Sequence, residues 1–374
     1  MSPLSAKYDG YTHNASPHRL RLRLLVVTLT LISLGAGFGT EAAQGQSFAY
    51  VANCFSNNVS VVDIASNAVV ATVPVGTCPF GVALTPDGAF AYVINDESNN
   101  VSVIETASNT VTATIPVGVS PLGAAVTPDG AFVYVANIGS GVSVISTASN
   151  TVVANITVGA GASNVAVTPD GAYAYVTNQS SQSVSVISTA NNTVVATVPV
   201  GINPFGVAVT PEGAFAYVVN STVAGTVSVV DTESNNVAAT IPVGSRPQFV
   251  AVTPNGSFAY VTNYDNNNVS VIATATNTVI ATVPVGVTPS GVAVTPDGAF
   301  AYVTNDGSDN VSVIATASNT VVATVPVGDR PVVVAITRHA APTNKNQCKN
   351  GGYRNFTNPS FRNQGECVSF VQRQ

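Results

Sequence analysis

Tyrosines recur at positions 50, 92, 134, 175, 217, 260 and 302, spaced 41 to 43 residues apart, and the residues around each are nearly the same. The copy from Gly291 to Gly328 reads GVAVTPDGAFAYVTNDGSDNVSVIATASNTVVATVPVG. Self-similarity at such a period means that each copy is one supersecondary unit, able to bury its apolar surface only against its neighbours. Seven copies occupy residues 47 to 338 and leave no room for an eighth.

Each copy spells four strands. Gly291-Val-Ala-Val-Thr295 is short and apolar, and Pro296-Asp297-Gly298 has the residue order of a type I turn closed by a left-handed glycine. Phe300 to Asn305, Val311 to Ile314 and Val321 to Val327 are β-branched or aromatic, with polar loops between them. No apolar run has helical spacing, and the strands read as apolar on both faces, as expected of sheets sandwiched between sheets. Four strands in about 42 residues, repeated seven times, predict an all-β, seven-bladed β-propeller of four-stranded antiparallel blades. The segment 331 to 337 is an innermost strand with no partners after it, whereas Phe48 onward supplies three strands without a first. The last blade is therefore expected to be closed by the N- and C-terminal strands together.

The copies YVANCFSNNVSVVD, YVTNYDNNNVSVI and YVTNDGSDNVSVI resemble the YVTN-type β-propeller repeats of secreted and surface proteins. That resemblance covers about four-fifths of the chain. It implies the propeller fold and a role close to that of surface-layer and binding proteins.

Both ends differ from the repeats. Arg19, Arg21 and Arg23 precede an uncharged run from Leu24 to Gly39 and a small-residue stretch ending at Ala42-Ala43. Residues 1–43 read as a secretory signal peptide, with a run too short to favour a retained membrane anchor. Residues 345–374 form a basic tail in which CKNGGYRNF and NQGECVSFV resemble a short two-cysteine module found at the ends of assorted secreted bacterial proteins. Cys348 and Cys367 lack the spacing and neighbouring histidines of a zinc site, so a disulfide is the simpler reading. Cys54 ends a second strand and Cys78 lies in the following inter-blade loop. Antiparallel alternation puts both on one face and predicts a second disulfide. These features together point to a secreted or cell-surface protein.

Residues 47 to 338 contain fifteen acidic side chains against Arg246, Arg330 and Arg338 and no lysine. A body of that sign is a poor partner for nucleic acid. Two of the three histidines, His13 and His18, leave with the signal peptide and His339 follows the last strand, so no triad, haem ligand or histidine metal cage can be assembled. No cofactor or metal is expected, and the acids of the Pro-Asp-Gly turns read as turn chemistry.

Variation between copies is concentrated in the loops after the second strand and between blades, so function is expected there. Asp96, Tyr264, Asp306, Arg246 and Arg330 are the candidate binding residues, with the two arginines on one rim and a single blade between them. The leading expectation is a non-enzymatic propeller that binds a protein or glycan at the cell envelope. The alternatives are a lactonase-like hydrolase using channel carboxylates with Arg246 and Arg330, and a structural surface-layer component.

Overall fold

The computed structural model describes residues 47–337; the predicted signal peptide and the tail with Cys348 and Cys367 lie outside the described residues. Twenty-eight strands form seven four-stranded antiparallel sheets, joined by turns and one short 3-10 turn at Asp306–Ser308. Blade 1 is the split one: its strands, from the channel outward, are Pro331–Ile336, Phe48–Asn53, Asn58–Asp63 and Ala68–Pro74. Blades 2 to 7 follow in chain order and open at Pro79, Pro121, Ala162, Pro204, Pro247 and Pro289. The innermost strands touch their neighbours all the way round, Pro331–Ile336 meeting Pro289–Val294 on one side and Pro79–Leu84 on the other. The closure is as expected from the sequence: Ala49 pairs with Ile336, Tyr50 with Ala335 and Val51 with Val334. A partner for Phe48–Asn53 removes the sheet edge that an unclosed blade would expose.

The repeated residues explain why blades stack in a ring. Each period tyrosine is fully buried and passes its hydroxyl to an asparagine of the next blade: Tyr50 to Asn109 Oδ1 at 2.9 Å, Tyr217 to Asn277 at 2.7 Å and Tyr260 to Asn319 at 2.8 Å. Tyr302 closes the circle by donating to Asn67 in blade 1. The acceptors sit in the Ala-Ser-Asn-Thr type turns with left-handed backbone, φ 52° at Asn109 and 53° at Asn319, a region asparagine tolerates. Burial pushes Tyr50, Tyr134 and Tyr260 up to about 12.

The asparagines that end the second strands work within and between blades. Asn53 Nδ2 donates to Asn58 Oδ1 at 2.8 Å and to Ser60 Oγ at 2.9 Å, and the same pattern recurs at Asn305. The other side of each amide lies against the glycine of the preceding inter-blade loop. A Cβ on Gly76 would fall 2.7 Å from Asn95 Cγ, so only glycine lets the loop pass.

One expectation fails. The outermost strands are not apolar on two covered faces: Val70 is 55% exposed and Val322 55%, within strands such as Thr320–Pro326 that carry no charge. Blades are wedges, crowded at the channel and splayed at the circumference, so the outer strand has a solvent face whatever its sequence.

Candidate functional site

The residues immediately before the innermost strands ring one mouth of the channel. Six of the seven are non-glycine residues with left-handed backbone: Cys78, Ser120, Asn203, Arg246, Thr288 and Arg330, with φ between 46° and 55°. A left-handed non-glycine residue costs about 1 kcal/mol, so the surroundings must over-determine it. They do so by hydrogen bonds from both directions. Arg330 N donates to Asp309 Oδ1 at 2.9 Å, and Arg330 O accepts from Cys54 N at 2.9 Å. Cys78 and Ser120 are held alike, through Asn57 Oδ1 and Asn99 Oδ1.

This geometry brings the first loop residue of one blade against the left-handed residue of the next. The chain fills that meeting point with different chemistry in successive blades. Between blades 7 and 1 it is Asp306 with Arg330, Nε to Oδ2 at 3.3 Å. Between blades 1 and 2 it is the Cys54–Cys78 disulfide, with Cα atoms 3.9 Å apart. Between blades 2 and 3 it is Asp96 with the Ser120 hydroxyl. The disulfide is the one expected from the sequence.

Electrostatics separate the two arginines. Arg330 and Asp306 are partly buried, their side chains 26% and 16% exposed, and the guanidinium carbon stands 4.7 Å from the Phe55 ring centroid. Arg246 makes a looser pair with Asp265 at 3.7 Å, the two side chains 42% and 36% exposed, and stands 5.5 Å from the Tyr264 ring. A pair so exposed contributes less than about 1 kcal/mol. Burial raises Asp306 above its ordinary value of 3.8, with Arg330 pulling it down. Burial likewise raises Asp96; the Ser120 hydrogen bond lowers it, the charge of Glu97 raises it, and the charge of Arg330 lowers it by the smallest amount. Arg330 therefore acts on two desolvated carboxylates from the blades on either side of it. Of the five candidate binding residues, Arg330, Asp306 and Asp96 share one sector of the mouth, while Arg246 and Tyr264 form a second cluster with blade 7 between.

Beneath this rim lie residues that sequence reasoning missed. Phe80 of blade 2 meets Phe205 of blade 5 edge-on, with ring centroids 6.2 Å apart, and Phe205 meets Phe249 of blade 6 at 5.2 Å. Phe80 and Val333 also pack against the Cys54–Cys78 disulfide and Val332. The signal was in the sequence: the position after the opening proline holds Phe80, Leu122, Phe205, Gln248, Ser290 and Val332, among the most variable in the repeat. Among the described residues no group of His, Cys, Asp and Glu side chains could hold a metal ion, and no helix is long and apolar enough to cross a membrane.

A seven-bladed propeller with a carboxylate–arginine cluster over an aromatic channel mouth is the class these features define. The chain belongs to the seven-bladed β-propeller lactonase family, whose sequence model matches residues 68–194 and 244–336. No curated protein sequence matches this chain. Among solved structures, the Kuenenia stuttgartiensis hydrazine synthase is similar with a TM-score of 0.69 and 26% identity, covering 76% of this chain and 99% of that one. A protein from Desulfotomaculum acetoxidans described as functionally unknown gives 0.70 at 19% identity, covering 78% of this chain and 98% of that one. The periplasmic gluconolactonase of Pseudomonas aeruginosa gives 0.65 at 20% identity, covering 79% of this chain and all of that one. These likenesses bear on the fold. The family match overturns the expectation of a non-enzymatic envelope scaffold and favours the lactonase-like alternative. That expectation leaned on the missing histidines, yet a carboxylate can act as a general base and a guanidinium can stabilise an oxyanion without any histidine.

Proposed function

We propose that the protein hydrolyses lactones or related esters at the channel mouth, with Arg330 and Asp96 as the catalytic pair. The observation that carries this reading is Arg330, which precedes the innermost strand of blade 1 and pairs with Asp306 of blade 7 at 3.3 Å, with the desolvated carboxylate of Asp96 in blade 2, on a lactonase-family propeller. The substrate carbonyl oxygen faces the Arg330 guanidinium, which stabilises the oxyanion as it forms. Asp96, made more basic by burial, takes a proton from the attacking water. Collapse of the tetrahedral intermediate breaks the ring C–O bond, and the leaving alkoxide recovers the proton from Asp96. The product is a hydroxy acid and the enzyme is unchanged. Asp306 and the Phe55 ring hold the guanidinium in place.

The reading places this chemistry outside the cytoplasm. It is supported by the Cys54–Cys78 disulfide, the N-terminal stretch 1–43 and the YVTN-type resemblance to secreted and surface propellers. The test is proton release from a panel of γ- and δ-lactones by the purified protein and by Arg330→Ala. Removing an oxyanion donor is expected to lower kcat by about 100-fold or more. Equal turnover by the two proteins contradicts the reading.

A further inference from the structure

We infer that the mouth selects lactones with an apolar body, alkyl or aryl, over polyhydroxylated sugar lactones. The inference rests on the hydrolase reading above and names its substrate class. Blades 2 and 5 are separated by two others on the shorter way round, so the Phe80–Phe205 contact at 6.2 Å spans the channel itself. Phe249 extends this aromatic surface, and Phe80 and Phe249 keep part of their surface exposed. The rings meet because the inner strands crowd together: a Cβ on Gly206 would fall 2.6 Å from the Gln248 carbonyl oxygen. The Phe205 backbone is held from the neighbouring blade, where Thr177 Oγ1 donates to its carbonyl at 2.6 Å.

The rim above carries apolar side chains as well as charged ones. Val119, Ile202 and Val287, each one residue before a left-handed position, are 57%, 62% and 50% exposed, and Phe55 is 67% exposed. A sugar lactone needs several polar groups to replace the water it loses, and three polar groups on the inner strands are already engaged. Gln248 Nε2 donates to Ser221 Oγ at 3.2 Å, Ser163 Oγ is bonded to Thr177 Oγ1 at 3.0 Å, and Asn164 Oδ1 accepts from Val165 N at 2.7 Å. Hydrocarbon asks for none of these. It gains from covering the rings.

The test compares kcat/KM for γ-butyrolactone, γ-octalactone, γ-dodecalactone and glucono-δ-lactone on the full-length protein, with Phe205→Leu and Phe249→Ala beside it. Each methylene laid on the aromatic surface is expected to raise kcat/KM by up to about fourfold, and the two variants are expected to flatten that rise. Circular dichroism melts of both variants show whether either remains folded, and one folded variant is enough for the comparison. Equal or better turnover of glucono-δ-lactone overturns the substrate class and leaves the hydrolase reading standing. If no lactone is turned over, the hydrolase reading falls. Fluorescence binding of 1-anilinonaphthalene-8-sulfonate, an aryl body with an anionic head, then decides the apolar site. Binding weakened by Phe205→Leu supports it, and binding absent or unaffected overturns it.

Discussion

Arg330 Nε lies 3.3 Å from Asp306 Oδ2 while the guanidinium stands 4.7 Å from the ring centroid of Phe55, so one side chain from blade 7 and one from blade 1 fix the same cation. Its backbone is fixed as well, in a left-handed conformation with φ 54°. Lysine is a flexible point charge that neither stacks as a plane nor donates as a fork. Arg330→Lys is therefore expected to lose most of the activity lost in Arg330→Ala while keeping the net charge. Steady-state kinetics on the preferred lactone check this, and recovery of wild-type kcat by lysine would show that charge alone suffices.

The Arg246–Asp265 pair is more exposed and longer, at 3.7 Å. Arg246→Ala is expected to change stability by less than about 1 kcal/mol and kcat by less than the Arg330 variant does. Urea unfolding and kinetics on the same preparation separate the two arginines.

The Cys54–Cys78 bond joins residues 24 apart in sequence and ties blade 1 to blade 2 beside the aromatic surface. Closing a loop of that length contributes about 3 kcal/mol in the chain-entropy account. Reduction with dithiothreitol, or the double variant Cys54→Ala with Cys78→Ala, is expected to lower the melting temperature. An unchanged melt in both cases would show that the hydrogen bonds of the split blade suffice to hold this junction.

The ring of buried tyrosines makes the fold sensitive to strong alkali. Burial raises Tyr50, Tyr260 and Tyr302 from 10.0 to about 12, so their contribution is complete below the unfolded value near 10 and is lost as pH climbs through 12. A cooperative loss of β-sheet circular dichroism between those pH values is expected. Tyr260→Phe, which removes one hydroxyl and leaves Asn319 without that donor, is expected to cost about 1 kcal/mol.

Much of the architecture was legible because it repeats. The tyrosine period set the blade count, the unpartnered segment 331–337 set the closure, and alternation of strand direction put Cys54 beside Cys78. What could not be read depends on curvature between blades. Phe80 and Phe205 lie three repeats apart and meet only because seven wedges close a narrow channel. The tyrosine–asparagine bonds need the stagger of one blade on the next, which no single repeat encodes. Asp96, Asp306 and Arg330 stood out as variable loop residues, but their burial did not, since an acid in a polar loop reads as solvated. The exposed valines of the outer strands failed in the opposite sense, their apolar pattern suggesting a cover that a propeller's circumference does not have.

The catalytic role proposed for Asp96 is tested most directly by the pH dependence of kcat/KM for lactone hydrolysis in the wild type and in Asp96→Asn. The base works ionised, and burial raises it above 3.8, so the wild-type rate is expected to fall as acid is added on a limb lying above that ordinary carboxylate value. Asp96→Asn is expected to lose about 100-fold or more in kcat/KM, and that limb with it. The same limb and a similar rate in both proteins would contradict the account.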